Sequence, residues 1–315
     1  MPDGHSGVVS IMRHLPPADA VRLSALPCLA EVDTIVPLPG GITNRNYRAR
    51  GSKGDFVIRV SDPDSTILAI DRVNELRNSL AAAYAGIGAP VVDFMPDAGL
   101  LVVGWIESRT LGDSDIRDPQ MLARIASACR QLHAGPRFAG DFDMFDIQAR
   151  YLTLVQTNGW RLPAGYLDYL PELERMRAAL ACNPEPTVPC HNDLLAANFL
   201  DDGARLWIID YEFSGNNEAS FELGNIWSEA MLAPDLLELL ADAYWGKHSP
   251  EKIARARLWG LMAKYGWTLW ASIQVAVSQI DFDYWSWGME KYEGAVAEFN
   301  GPDYPRLLAQ VATKG

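Results

Sequence analysis

The chain has 315 residues, 49% hydrophobic and 21% charged, a composition that excludes disordered, collagenous and fibrous classes. That length allows two core-bearing domains or one large one. Its 27 Lys and Arg against 40 Asp and Glu leave a net charge of −13, with no Lys/Arg run to form the basic face that a nucleic-acid backbone needs.

The N-terminal stretch MPDGHSGVVSIMRHLPP holds only a five-residue apolar run, too short for a signal sequence. No apolar run is long enough to predict a membrane span. Cys28, Cys129, Cys182 and Cys190 form no CxxC pair, so neither structural zinc nor a disulfide framework is expected, and the expected location is a reducing cytoplasm.

Residues 16–26 (PPADAVRLSAL) read as a short helix. Residues 31–38 alternate loosely, PGGITNRN makes a Gly-rich turn, and NYRAR and DFVIRV read as strands around GSKG. Residues 65–86 have helical spacing, and GAPVVDF and LLVVGWI are strand-like again. After Thr110 the pattern turns helical. Residues 121–135 place 122, 125, 129 and 132 on one face and stop at Gly135-Pro136, and residues 170–181 form another helix. Residues 199–212 are the strand-like exception. Further helices follow in ASFELGNIWSEAML, in APDLLELLADAYWG, and over about 251–279 and 283–299. The division falls in GWIESRTLGD: residues 1–104 form a small β-rich lobe and residues 105–315 a larger α-helical one, an α+β bilobal organisation.

Three segments carry candidate chemistry. In GGITN, Gly40 and Gly41 let the backbone approach an anion, and Thr43 and Asn44 add donors; a plain hairpin is the competing account. In DFVIRV, Arg59 is a cation amid apolar neighbours, and Glu75 lies sixteen residues on in a predicted helix. A cation held by a helix carboxylate is a common grip on nucleotide phosphates, although an edge-strand arginine in water would look the same. The third segment is PCHNDLLAANFL followed by LWIIDYEFSG. Asp193 can orient a hydroxyl and accept its proton. Asn198 and Asp210 offer hard oxygen ligands to Mg²⁺, and the DDGA turn at 201–204 would bring them together. His191 is read as a structural brace of the loop. A polar turn explains any one of these residues, but not the combination.

HNDLLAANFL…LWIIDYEFSG resembles the catalytic region of the choline/ethanolamine kinase family, part of the aminoglycoside-phosphotransferase-like, protein-kinase-like group. The resemblance runs from about residue 37 to 299. GGITNRNY is similar to the family's phosphate loop, LLVVGWIESRTL to its adenine hinge, and FELGNIWSE to the segment after the metal-binding Asp, with Glu222 where Asp is usual. The resemblance implies a bilobal protein-kinase-like fold. It implies Asp193 as catalytic base, Asn198 and Asp210 as Mg²⁺ ligands, and Arg59 on the ATP phosphates, positioned by Glu75. It further implies the Gly40–Asn44 loop over the phosphates, with Trp105 and Ile106 at the hinge. Phosphoryl transfer would be in line, driven by positioning and charge neutralisation.

The acceptor is read from the tryptophans. Four of the ten lie within residues 267–287, and Trp267 and Trp270 share a helix face. A quaternary ammonium donates no hydrogen bond and is bound by aromatic faces and a carboxylate, whereas Trp at helical spacing also suits a core. The family has W-x-x-W here, an aromatic seventeen residues on, which is Trp287, and a choline-facing Glu nineteen residues after the metal Asp, which is Glu229. The resemblance therefore implies an ATP- and Mg²⁺-dependent kinase of a small cationic alcohol, choline or choline-like; the sequence leaves its assembly open, a homodimer included. Ethanolamine, thiamine or an aminoglycoside remain alternative acceptors, and IDFDYWSWGMEKYE supplies four acids for a polycation. A non-catalytic pseudokinase is the alternative of another class; the joint presence of Asp193, Asn198 and Asp210 argues against it.

Overall fold

In a computed structural model of the chain, residues 11–61, 67–68 and 70–313 are described. Most of the N-terminal apolar run read from the sequence lies outside them. So does part of the helix expected from residue 65.

Helix α1 (Pro17–Leu23) leads into a five-stranded sheet of β1 (Val32–Leu38), β2 (Arg45–Gly51), β3 (Gly54–Val60), β4 (Val91–Met95) and β5 (Leu100–Gly104). The sheet order is β1-β2-β3-β5-β4, and every pair is antiparallel. Side chains alternate across a strand, so Ile58 and Val60 enter a core with Leu23, Leu29, Ile35, Tyr47, Leu100 and Val102, which α1 covers. Arg59, between them, faces the opposite side, toward helix α2 (Arg72–Tyr84). Asp71 caps α2, accepting from the amides of Val73 and Asn74, so the helix starts later than the apolar spacing suggests. Buried Asp19 ties α1 to the sheet through Arg45 and the Tyr47 hydroxyl, at 2.8 and 2.5 Å. Burial alone would raise its carboxyl, but these partners hold it below its ordinary value.

The remaining chain is mostly helical: α3 (Pro119–His133), α4 (Met144–Thr157), α5 (Leu170–Ala181), α6 (Ala219–Glu229), α7 (Pro234–Trp245), α8 (Pro250–Val277), α9 (Tyr284–Phe299) and α10 (Asp303–Ala312). Helix α5 coincides with the expected 170–181. Helices α4 and α10 have no counterpart in the sequence reading, although Asp143 caps α4 through the Phe145 amide. Helix α8 is the central post, with almost every residue from Ala254 to Gln274 buried, as expected for a helix packed on all sides.

Short strands frame the loop region. β6 (Arg109–Thr110), β8 (Phe199–Asp201) and β9 (Leu206–Ile208) form one sheet, and β7 (Thr187–Cys190) and β10 (Gly215–Glu218) a second. The strand expected through Asp210 therefore ends at Ile208, because Asp210 adopts φ +77° and turns the chain out of the ladder.

Candidate active site

The loop 191–198 is held from behind by one face of α6. Glu222 accepts the His191 and Asn192 amides at 2.7 and 2.8 Å, and Asn225 Oδ1 accepts the Leu194 amide at 2.8 Å. Positions 222, 225 and 229 recur at helical spacing, so the third of them, Glu229, comes off the same side. Burial would raise the Glu222 carboxyl, but His133, 3.5 Å away, and the donated His191 amide hold it below its ordinary value. A glutamate at this position thus braces the loop with both oxygens.

His191 is fully buried. Its Nδ1 accepts from the Asp193 amide at 3.3 Å, so Nε2 carries the hydrogen donated to Ile209 O at 2.8 Å. Burial pushes its pKa down, which favours this neutral bracing form. Asp193 is half-buried at the loop's front. Burial raises its pKa well above the ordinary carboxylate range, and the Glu229, Asp210 and Glu212 carboxylates add to the rise.

Antiparallel pairing of Phe199 with Ile208 brings Asn198 beside the segment before Asp210, and Ile209 N donates to Asn198 O at 3.0 Å. Asn198 Nδ2 donates to Asp193 O at 2.7 Å, which directs Oδ1 away from the loop. Asn198 Oδ1 and the Asp210 and Glu212 carboxylates are each the kind of hard oxygen donor that a divalent cation takes. A positive charge already meets the two carboxylates: Arg59 Nη1 lies 2.5 Å from Asp210 Oδ1 and Nη2 2.9 Å from Glu212 Oε2. Its Nε is 3.5 Å from Glu75, and the three carboxylates raise the guanidinium pKa further despite its burial.

Arg72 joins this network, bonding Glu75 at 2.7 Å and Glu212 at 3.0 Å. The side chain of Asn44 is turned into it as well, donating to Glu212 at 3.0 Å, so it is not spread along the outer edge of the Gly-rich loop. Arg72 and Glu212 escaped the sequence reading. The available signals were a second acid two residues after Asp210 and a basic residue at the first turn of α2. Gly40 takes φ +99°, and a side chain at Gly41 would strike the Asn44 carbonyl; this tight cradle only glycine fits. Thr43 is half-exposed in the same loop. Trp105 and Ile106 follow β5 directly. The Trp105 amide donates to Asp55 O at 3.0 Å, and its indole lies under Arg48, 3.7 Å from the ring centre.

Beside Asp193 lies the aromatic region. Trp270 and Trp287 meet edge to face at 5.3 Å, and the Lys291 ammonium sits 4.1 Å from the Trp287 ring centre and 2.6 Å from Glu229 Oε2. Trp267 sits apart from this pair, packed on Phe213 at 5.1 Å and Phe142 at 6.5 Å. Tyr284 contacts Trp270 at 5.7 Å, and its hydroxyl donates to Ile42 O at 2.7 Å, linking the Gly-rich loop to α9. Neither Lys291 nor Tyr284 was singled out from the sequence. Lys291 lies one helical turn past Trp287, which was the available signal.

The family model described as choline/ethanolamine kinase matches residues 35–236. A solved choline/ethanolamine kinase family protein from Mesorhizobium loti is 33% identical and superposes with a TM-score of 0.80, covering 93% of this chain and 98% of that one. The choline kinase LicA from Streptococcus pneumoniae is 24% identical with a TM-score of 0.75, covering 92% and 98%. A probable ethanolamine kinase of Arabidopsis thaliana is 26% identical over 290 residues, 80% of this chain and 76% of the relative.

Proposed function

The chain belongs to the choline/ethanolamine kinase family, and from that premise we propose that it transfers the γ-phosphate of ATP to the hydroxyl of choline or a choline-like amino alcohol. It is a phosphotransferase with an alcohol acceptor. One observation supports the choline-like acceptor above the others. An ammonium group, that of Lys291, is held between a carboxylate and an indole face, and both Lys291 and Glu229 act electrostatically on Asp193. A cationic alcohol whose charge rested there would bring its hydroxyl toward the base.

Asp193 orients that hydroxyl and accepts its proton. Asn198 and Asp210, with Glu212 beside them, would hold Mg²⁺, which when bound neutralises charge on the transferring group. Arg59, aimed by Glu75, would turn from Asp210 and Glu212 to the phosphates. The glycine loop would cover them, and Trp105 would meet adenine through its carbonyl, since its amide is engaged by Asp55. The nucleotide would lie between a lobe of residues 1–104 and a lobe of residues 105–315. No helix among the described residues is long and apolar enough to cross a membrane, and we place the enzyme in the cytoplasm.

A primary ammonium alcohol, ethanolamine, is a second acceptor with an observation of its own. The group now on Glu229 is itself a primary ammonium, and Glu229 Oε1 has no hydrogen-bond partner among the described residues. A polycationic aminoglycoside fits less well, because Lys291 already neutralises Glu229 and Asp283 is engaged as the cap of α9.

Nucleotide consumption with choline, ethanolamine, dimethylethanolamine, thiamine and kanamycin, with and without Mg²⁺, decides among these. Choline turnover that depends on Mg²⁺ is expected, and kanamycin as best acceptor would overturn the proposal. Asp193→Asn should lower kcat roughly 10³-fold, within the range for a lost general base. Near-full activity in that variant would remove Asp193 from its role. Its metal-free melting temperature should hold or rise, since a poorly solvated carboxylate is removed.

A further inference from the structure

Lys291 is absent from the machinery derived above, yet it stands where a cation should bind. It extends from α9, folds back over the Trp287 indole one turn earlier, and ends on Glu229 at the C-terminus of α6. Both side chains are about 95% buried or more. Glu229 uses Oε2 for Lys291, while Oε1 and the Trp270 indole N–H have no hydrogen-bond partner among the described residues. Nearby Lys264 cannot replace Lys291 on this carboxylate in the observed packing, because its ammonium lies over Trp227, 4.1 Å from the ring centre.

We propose that Lys291 is a specificity-determining tethered cation: its ammonium occupies the acceptor's cation position, and an alcohol binds by displacing it from Glu229 and Trp287. The inference rests on the assignment of Glu229 and Trp287 to the acceptor's charge. Its consequence is a selection rule. Displacing Lys291 strands a buried carboxylate unless the incoming molecule brings its own positive charge, so neutral alcohols of the same shape are excluded. A quaternary ammonium restores the charge and adds contact with the indole faces. The competition also weakens apparent affinity, since only the fraction of molecules with Lys291 displaced is competent to bind.

The test is Lys291→Met, which keeps the length and removes the charge. KM for choline should fall roughly three- to tenfold while KM for ATP stays within about twofold, as expected when a competing internal state is removed. The uncharged isostere 3,3-dimethylbutan-1-ol should become a measurable acceptor in the variant. An unchanged or raised KM for choline overturns the inference and makes Lys291 a positioning residue for Glu229. In case the variant does not fold, the wild-type enzyme gives an independent readout. Acylation of Lys291 by a succinimidyl ester, followed by mass spectrometry, should quicken at saturating choline, and slower labelling overturns displacement. If wild-type enzyme turns over neither choline nor ethanolamine, the acceptor assignment fails first and this inference with it. If it turns over choline and the variant's KM does not fall, only the role of Lys291 fails.

Discussion

Asn192 and Asp210 adopt φ values of +68° and +77°, in a region that costs most side chains free energy and that clusters at functional sites. The surroundings offset the cost. Asn192 Nδ2 lies 3.2 Å from the carbonyls of Cys190, Phe213 and Gly215, and Asp210 is clamped by Arg59. Lys264 is strained in another way: burial pushes its ammonium pKa down to about 8, although Glu298 and Glu229 pull it up against the repulsion of Lys291 and Arg257. The unfolded chain holds this proton up to roughly pH 10. The native state therefore carries the full penalty below about pH 8, and the penalty fades between there and roughly pH 10. Lys264→Met should raise the melting temperature at about pH 7, with the gain shrinking toward pH 10; a gain independent of pH would contradict this. At this scale the sequence announced Asp193, Asn198, Asp210 and Arg59, each at a recognisable spacing. It did not announce Arg72, Glu212 or Lys291, whose partners lie up to 168 residues away.

Helices α6 and α8 cross at Gly224 and Gly260, and the crossing sets the depth of the site. A methyl on Gly224 would collide with the Ala256 carbonyl and approach the Gly260 amide. Because Glu222, Asn225 and Glu229 share a face of α6, any shift there moves the loop brace and the Glu229 carboxylate together. Gly224→Ala should destabilise by about 2–3 kcal/mol, an ordinary cost of overpacking, measurable by denaturant titration. It should also reduce kcat/KM beyond what lost folding explains. A fully active, equally stable variant would show that α6 can slide freely on α8. Helices α3, α5, α6 and α8 were read from the sequence, α3 by its apolar face, whereas α4 and α10 were not singled out. The β8–β9 hairpin was legible through DDGA, but its end was not, because nothing in LWIID declares the left-handed turn at Asp210.

The whole molecule carries −13 charge, and the acceptor envisaged is a cation, so long-range attraction should assist capture. Raising salt from about 20 to 500 mM should lower kcat/KM for choline roughly two- to fivefold, because screening shortens the reach of that field. A profile flat in salt would mean the net charge does not guide the substrate. The sequence by itself determined the β-then-α order of the chain, the 199–208 hairpin with the loop before it, and the family, because those depend on local periodicity and short spacings. Only the tertiary structure decided the rest. It turned Asn44 inward, gave Arg59 three carboxylate partners, separated Trp267 from the Trp270–Trp287 pair, and set Lys291 on Glu229. The physical reason is that a charge far along the chain finds its counter-ion only when packing removes both from water, and no local pattern records which pair will meet.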